Sequence, residues 1–320
     1  MIDDVNVDKE VKILFMGTPE FAVPVLEGLT EKYKVKAVVT QPDKKVGREG
    51  ALTSPPIKKV ASDKVILVIQ PESIKNYIEE INDLDIDLIV TCAYGQLIPE
   101  EILNKPRLGA INVHASLLPK LRGGAPIHRA IIQGHNKTGV TIMKMTKRLD
   151  AGDIISQKEI NIEDEDTAST LHDKLSILGK ELLLETLPSI IDGTAKYEKQ
   201  DDSEATFAAN IKRSEERIDF SKSKRQVYNK IRGLNSWPGA YCTLDSKILK
   251  VWEAYTTDNY YNNVFDGEVT AIYENGFGVK VANGEVVITS IQPEGKPKMS
   301  ALDFARGYEN KGGLVGKILV

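Results

Sequence analysis

Residues 11–41 read VKILFMGTPEFAVPVLEGLTEKYKVKAVVTQ, and their reading decides the fold. Val11–Gly17 is an apolar run closed by glycine, the pattern of a strand buried on both faces of a parallel sheet. Thr18 then offers a helix N-cap, Pro19 suits the first helical position, and Glu20 follows close behind. Phe21, Val25 and Leu29 recur at helical spacing, with Phe21 expected to pack, and VKAVVTQ makes a second strand. Strand, helix and strand in this order form an α/β unit with a right-handed crossover. Gly17-Thr18-Pro19 is not the glycine pattern of a dinucleotide site.

The alternation continues outward. VILVIQ (Val65–Gln70) predicts a strand, PESIKNYIEEIND a helix, LDIDLIVTCAYG a strand ending at Gly95, and GAINVHA another. PIHRAIIQGH predicts a helix stopped by Gly134, and TGVTIMKMT a strand. TASTLHDKLSILGKELLLETLPSIIDG predicts a long helix capped at Thr167 and ended by Gly193. Residues 1–193 therefore read as one doubly wound α/β domain. The polar stretch 194–206 has no sustained apolar period and reads as a linker. In 207–320, KSKRQVYNKIRGL predicts a helix, and five short β-like runs separated by turns such as ENG and ANG predict a small β-barrel.

Composition narrows the function classes. Of 320 residues, 41% are hydrophobic and 28% charged, as in a soluble globular protein. No apolar run reaches the roughly 18 residues of a membrane span, and the acidic start MIDDVNVDKE is unlike a secretory signal. Cys92 and Cys242 stand apart without a metal-binding spacing, so no metal site and a reducing, cytoplasmic setting are expected. The net charge is −4, but residues 1–206 carry −7 and residues 207–320 carry +3. A mildly basic β domain behind an acidic α/β domain permits a polyanion partner.

In a doubly wound sheet, ligands sit beyond the carboxyl ends of the strands. Asn112 and His114 close GAINVHA, and strand alternation aims both the same way. The next strand leads to Asp150 in LDAGD. An amide, an imidazole and a carboxylate at neighbouring strand ends suit acyl transfer to an amine. The amide and a protonated imidazole stabilise a developing oxyanion, and a base near neutrality takes the amine proton. No serine or cysteine nucleophile is required. Spacing alone leaves structural roles open, since a strand-end histidine is most often a satisfied structural residue and aspartate favours turns.

Further motifs settle the direction. NVHASLLPKLRGGAPIHRAI, TGVTIMKMTKRLDAGDII, MGTPEFAVPVLEGL, VVTQPDKKVGR, CAYGQLIP and QPEGKPKMSALDFARG together resemble the folate-dependent formyltransferase superfamily, and within it the branch acting on methionyl-tRNA. The resemblance runs from about Val11 to Gly307. It implies a Rossmann-like formyltransferase domain followed by an OB-like β-barrel. The implied reaction moves a formyl group from 10-formyltetrahydrofolate to the amine of methionyl-initiator tRNA. By position, Asn112, His114 and Asp150 match the family's catalytic trio. Ser116, Leu117, Leu118 and Pro119 match its folate-binding segment, and Tyr94, Gly95, Gln96, Leu97 and Ile98 match a wall of the pterin pocket. Lys44, Lys45 and Arg48 fall in an insertion loop that meets the tRNA acceptor arm. No protein partner is implied. The sequence departs from the family pattern at Leu121, where a tryptophan is common, at Ser236, and in the less basic residues after Arg48; neither Leu121 nor Ser236 is expected to touch the trio.

Two other readings stand beside this one: formyl transfer to a sugar-nucleotide amine, and tRNA binding without catalysis. The basic insertion and the β domain's positive balance argue against the first. The intact trio argues against the second.

Overall fold

The computed structural model describes residues 11–46 and 50–320, apart from the side chains of Val46 and Lys311. The strands are β1 (Lys12–Gly17), β2 (Lys34–Val39), β3 (Lys44–Val46), β4 (Ala51–Thr53), β5 (Leu67–Ile69), β6 (Leu88–Cys92), β7 (Ala110–His114), β8 (Lys137–Lys144), β9 (Ile154–Asn161), β10 (Ala240–Leu244), β11 (Lys247–Thr257), β12 (Val269–Tyr273), β13 (Gly276–Val281), β14 (Gly284–Pro293) and β15 (Met299–Ser300). The α-helices are α1 (Val23–Lys32), α2 (Pro56–Asp63), α3 (Ile78–Asn82), α4 (Glu100–Leu103), α5 (Pro126–Ile132), α6 (Ala168–Ile191), α7 (Lys224–Gly233) and α8 (Ala301–Arg306). The chain divides into two compact units. One runs up to Gly123 and adds Thr138–Ile160 and His172–Phe207; the other holds Gly124–Lys137, Asn161–Leu171 and Ala208–Val320.

The first unit is a mixed α/β layer. Its sheet has the order β5-β2-β1-β6-β7-β8-β9. Strands β5, β2, β1, β6 and β7 are parallel, and β8 runs antiparallel to β7. Alternation along β1 explains why it is apolar from Ile13 onward. Leu14 and Met16 join a core with Val39, Ile74 and Ile102, while Ile13 and Phe15, on the opposite face, are equally buried. A side chain at Gly179 of α6 would press on Val113, which fixes the helix against the face of β7 opposite Asn112 and His114.

Several local expectations are corrected. Thr18 is no helix cap: its hydroxyl donates to the Tyr94 carbonyl at 2.9 Å. Glu20–Ala22 form a 3-10 turn and α1 starts at Val23, with Pro24 in its first turn. The predicted strand 65–70 shortens to β5, and the helix predicted over 71–83 begins as a 3-10 turn, Ile74–Tyr77. Strand β9 was unexpected; it lies beside β8 at the sheet edge, where Lys144 N–H donates to the Asp153 carbonyl at 2.9 Å. The basic insertion is a β3–β4 hairpin rather than an open loop. The long helix does begin after Thr167, whose hydroxyl accepts from the Thr170 amide at 3.2 Å.

The second unit is an antiparallel sheet of order β10-β11-β14-β13-β12, with β15 beside β14. Its core gathers Val251, Phe277, Val279, Val286 and Ile288 under Ile231 of α7. Ser223 and Gln226 form a reciprocal capping box at the start of α7. The last residues pair on two sides. Leu319 N–H donates to Gly267 and Val269 N–H to Lys317, while Thr243 and Val320 exchange backbone bonds. Buried within this unit, the Glu285 carboxylate accepts from Thr257, Asn259, Tyr261, Thr270 and Tyr273. A Cβ on Gly278 would lie 2.1 Å from Glu285 Oε1, so only glycine leaves room for it.

Candidate active site

The first sheet changes winding direction between β1 and β6, with β2 and β5 on one side and β7 on the other. A crevice at the carboxyl ends of these strands is the expected ligand site. Asn112 lies in register with Thr91 of β6 and Met143 of β8. Ala110, two residues before Asn112, belongs to the core on one face of the sheet, so Asn112 and His114 share that face.

Each member of the trio is held by a specific partner. The Thr91 hydroxyl, 2% exposed, donates to Asn112 Oδ1 at 2.7 Å. That bond leaves the Asn112 NH2 without a partner among the described residues, as a donor for a ligand. His114 Nε2 lies 3.1 Å from the Leu121 carbonyl. A carbonyl only accepts, so Nε2 carries the hydrogen and Nδ1 is the ring position that can take up a proton. His114 Nδ1 faces Asp150 Oδ1 at 3.8 Å, and both side chains are buried. This separation is close enough for charge attraction and too long for a hydrogen bond. The other Asp150 oxygen, Oδ2, accepts from Gly123 N–H at 2.8 Å. Both residues that supply these bonds sit in turns: Asp150 at φ +48° and Leu121 at φ +59°.

Leu121 is a correction. The side chain at that position is apolar and buried, and its carbonyl is the partner of His114, so the residue does touch the trio through its backbone. His128, left out of the site, lies on α5 with Nδ1 bonded to the Gly233 carbonyl at 2.8 Å. Phe21 is buried, edge-on to His172 at 5.4 Å.

The segment after β7 is built as a fixed turn. Ser116 Oγ donates to the Lys120 carbonyl at 2.7 Å, and its own carbonyl accepts from Thr141 Oγ1 at 2.6 Å. Leu118 N–H donates to Thr141 Oγ1 at 3.1 Å, and the Leu118 carbonyl accepts from Gln157 at 2.8 Å. Leu118 is buried, while Leu117 and Pro119 are half-buried. At the end of β6, Tyr94 and Ile98 are buried and Gly95 takes φ +90°, but Leu97 is 71% exposed. Burial pushes the Tyr94 phenol up to about 12, so it stays neutral, and its hydroxyl has no hydrogen-bond partner among the described residues. The Gln96 amide is tied to Ile74 N–H at 2.9 Å and to Pro71 at 3.2 Å, which fixes the loop.

Lys44 and Lys45 are exposed on β3, whereas Lys58 is paired with Asp43 at 2.8 Å. Arg48 lies outside the described residues. Among the described residues no cluster of His, Cys, Asp and Glu could hold a metal ion, and no helix is long and apolar enough to cross a membrane. Burial pushes the Cys92 thiol well above its ordinary value, so it is inert at the end of β6.

Sequence reasoning missed Thr91, Gln200 and Arg122. Thr91 had a signal, as the one polar residue in the run LIVTC. Gln200 had none: it lies in the polar stretch 194–206, yet it is buried against the turn that carries Asp150.

Comparison with known proteins bears on this geometry. The family model described as "Formyl transferase" matches residues 10–187, and "Formyl transferase, C-terminal domain" matches 210–309. A protein of Staphylococcus epidermidis (strain ATCC 12228 / FDA PCI 1200) named methionyl-tRNA formyltransferase is 51% identical over 97% of this chain and 99% of its own. One of the same name from Staphylococcus aureus (strain MW2) is 52% identical over the same shares. Among solved structures, the sugar 3N-formyl transferase WlaRD superposes with TM-score 0.66 at 22% identity, covering 90% of this chain and 99% of that one. HypX from Aquifex aeolicus in complex with tetrahydrofolic acid superposes with TM-score 0.62 at 19% identity, over 93% of this chain and 47% of that one. At these identities the structures speak for the fold alone.

Proposed function

The chain belongs to the formyl transferase family, and on that premise we propose that it transfers the formyl group of 10-formyltetrahydrofolate to the amino group of methionyl-initiator tRNA. The observation that carries the reading is the approach of His114 Nδ1 to Asp150 Oδ1 at 3.8 Å, on the face of β7 that His114 shares with Asn112. It is supported by relatives about half identical over nearly the whole chain that bear the tRNA-directed name. The sugar formyltransferases share the fold at lower identity.

The chemistry follows from the polar groups left available. Asn112, with its oxygen committed to Thr91, offers its NH2 to an oxygen that gains negative charge. His114, with Nε2 committed to Leu121, takes up a proton at Nδ1 beside Asp150. The His114–Asp150 pair is thus the place where the proton of the incoming ammonium is received. Asp150 keeps Oδ1 for this because Oδ2 is held by Gly123.

The residues after β6 and β7 fit a folate. A pterin is flat and apolar with hydrogen-bonding edges; Tyr94 supplies a buried hydroxyl without a partner among the described residues, Ile98 and Leu118 supply apolar surface, and Gly95 keeps the backbone bare. When bound, 10-formyltetrahydrofolate supplies the formyl carbon, and Ser116–Pro119 with Tyr94–Ile98 would hold it. For the tRNA, Lys44 and Lys45 present exposed cations on the β3–β4 hairpin, and the resemblance adds Arg48 from the same insertion. The bonds from Gly267, Val269 and Thr243 to the chain's last residues support an OB-like closed barrel in the second unit, a fold suited to nucleic acid.

An acceptor assay tests the reading. The protein is incubated with 10-formyltetrahydrofolate and either methionyl-initiator tRNA or an amino-sugar nucleotide. Formylation of the tRNA is expected; formylation of the sugar alone would refute it.

A further inference from the structure

The stretch 198–206, polar and without periodicity, is bonded to the first unit through Glu198, Gln200, Asp202 and Thr206. Glu198 exchanges backbone bonds with Ile154 at 2.8 Å. Gln200 is 7% exposed, and its amide nitrogen donates to the carbonyls of Asp150 at 2.9 Å and Gly152 at 2.6 Å. Its amide oxygen accepts from Arg122 Nε at 3.0 Å and Nη2 at 2.8 Å. Two donor hydrogens and two acceptor positions are all the hydrogen-bonding capacity a glutamine amide has, so this side chain is saturated. Asp202 continues the strap, accepting from Arg122 at 2.9 Å and from Arg148 at 2.9 Å. Thr206 closes it: its Oγ1 accepts from Leu121 N–H at 2.9 Å and its carbonyl from Arg122 N–H at 2.9 Å.

The two turns so joined are the ones that hold the His114–Asp150 pair. The 119–123 turn gives the Leu121 carbonyl to His114 and the Gly123 amide to Asp150. The 148–153 turn carries Asp150 itself, at φ +48°, a left-handed conformation that aspartate adopts more readily than most residues. α5 and β8 separate the two turns along the chain, and besides the Gly123–Asp150 bond they are joined through the 198–206 stretch. The Gln200 amide spans the gap, touching Asp150 and Gly152 with one end and Arg122 with the other.

We propose that Gln200 is a positioning residue for formyl transfer, acting through the backbone of Asp150 and through Arg122 to set the spacing between Asp150 and His114. The inference rests on the trio assigned under the proposed function. Asp202 and Thr206 serve the same strap from its exposed side.

The test is a double-mutant cycle on the full chain. Gln200→Met keeps the length of the side chain and removes all four bonds. It should lower kcat for formylation of methionyl-tRNA by roughly tenfold to a hundredfold, the scale of a small misplacement of reacting groups. KM for the folate and for the tRNA should change less than about threefold. Gln200→Glu keeps the acceptors for Arg122 but faces two carbonyls without donors, so it should fail to rescue kcat. In an Asp150→Asn background, Gln200→Met should cost less than about twofold more, because the group it positions is already disabled. Asp202→Asn, a mild change at a half-exposed residue, should shift kcat in the same direction by a smaller factor and covers the case in which Gln200→Met does not fold. A folded Gln200→Met enzyme with parental kcat overturns the proposal, as does a cycle in which the two losses multiply. A parental kcat for Asp150→Asn alone would instead overturn the site assignment beneath it.

Discussion

Thr91→Val removes one hydroxyl and keeps the shape of the side chain. In the parent that hydroxyl is 2.7 Å from Asn112 Oδ1 and 3.2 Å from the Ile111 carbonyl. A hydroxyl has a single hydrogen, and the shorter contact to Asn112 takes it. Without it, Asn112 Oδ1 loses its donor and the amide is free to turn over, so its NH2 faces the crevice only part of the time. Deleting an oxyanion donor outright costs about 100- to 1,000-fold in kcat. Loosening one rather than deleting it should cost about tenfold, or roughly 1.4 kcal/mol of barrier. The stability cost should be about 1 kcal/mol, the low end for an unsatisfied group, because Asn112 is only half-buried. Steady-state kinetics on methionyl-tRNA and a thermal melt read the two effects separately. Thr91→Ser, which keeps the hydroxyl, should stay within about threefold of the parent, and Thr91→Val should add nothing in an Asn112→Ala background. If Thr91→Val retained parental kcat, or if Ser were as damaging as Val, the idea that this bond aims the amide would be wrong.

Asp150→Asn should lower kcat on the order of 100-fold while leaving folate binding near parental, since the carboxylate that faces His114 Nδ1 is lost and the Gly123 bond can be kept; stopped-time formylation and equilibrium folate binding measure the two. Lys44→Glu with Lys45→Glu should raise KM for tRNA several-fold and flatten its salt dependence without changing KM for the folate, and equal damage to both would indicate misfolding. Glu285 gives a pH signature: burial pushes its carboxyl up, but donors from Thr270, Thr257, Tyr273 and Tyr261 outweigh this and hold it below the usual range. A lowered folded pKa stabilises the protein above the unfolded value, about 4.3, and that contribution is lost as pH falls through the lower folded value. Urea unfolding of Glu285→Gln should therefore show a deficit against the parent at pH 7 that shrinks below about pH 4; a deficit constant down to pH 3 would mean the charge plays no part.

The parallel sheet and the shared face of Asn112 and His114 were legible because both rest on local periodicity. Ile13–Gly17 is apolar on both faces, and only a strand covered on both sides asks for that. Asn112 and His114 are two residues apart, so any strand through them aims them together. Element ends were less legible. Thr18 looks like a cap from its neighbours, but a carbonyl from Tyr94, far along the chain, takes its hydroxyl. Strand β9 has the sequence IISQKEIN, whose run of polar residues at a sheet edge resembles a loop.

The supports of the trio divide along the same line, and the division is physical. Thr91 was within reach of the sequence because its reason for being polar is visible in its own strand: a hydroxyl among Leu88, Ile89, Val90 and Cys92 must find a partner across the sheet. Gln200 was not, because a glutamine among Lys199, Asp201 and Asp202 carries no mark of burial. Its partners are 48 to 78 residues away and are mostly backbone carbonyls, which every residue has. Reactive side chains must differ chemically from their surroundings and so stand out; the groups that aim them need only a donor at the right place. A reading from sequence therefore finds which residues act sooner than it finds what sets their spacing. In this chain the 3.8 Å between His114 and Asp150 depends on a stretch whose composition suggests only a linker.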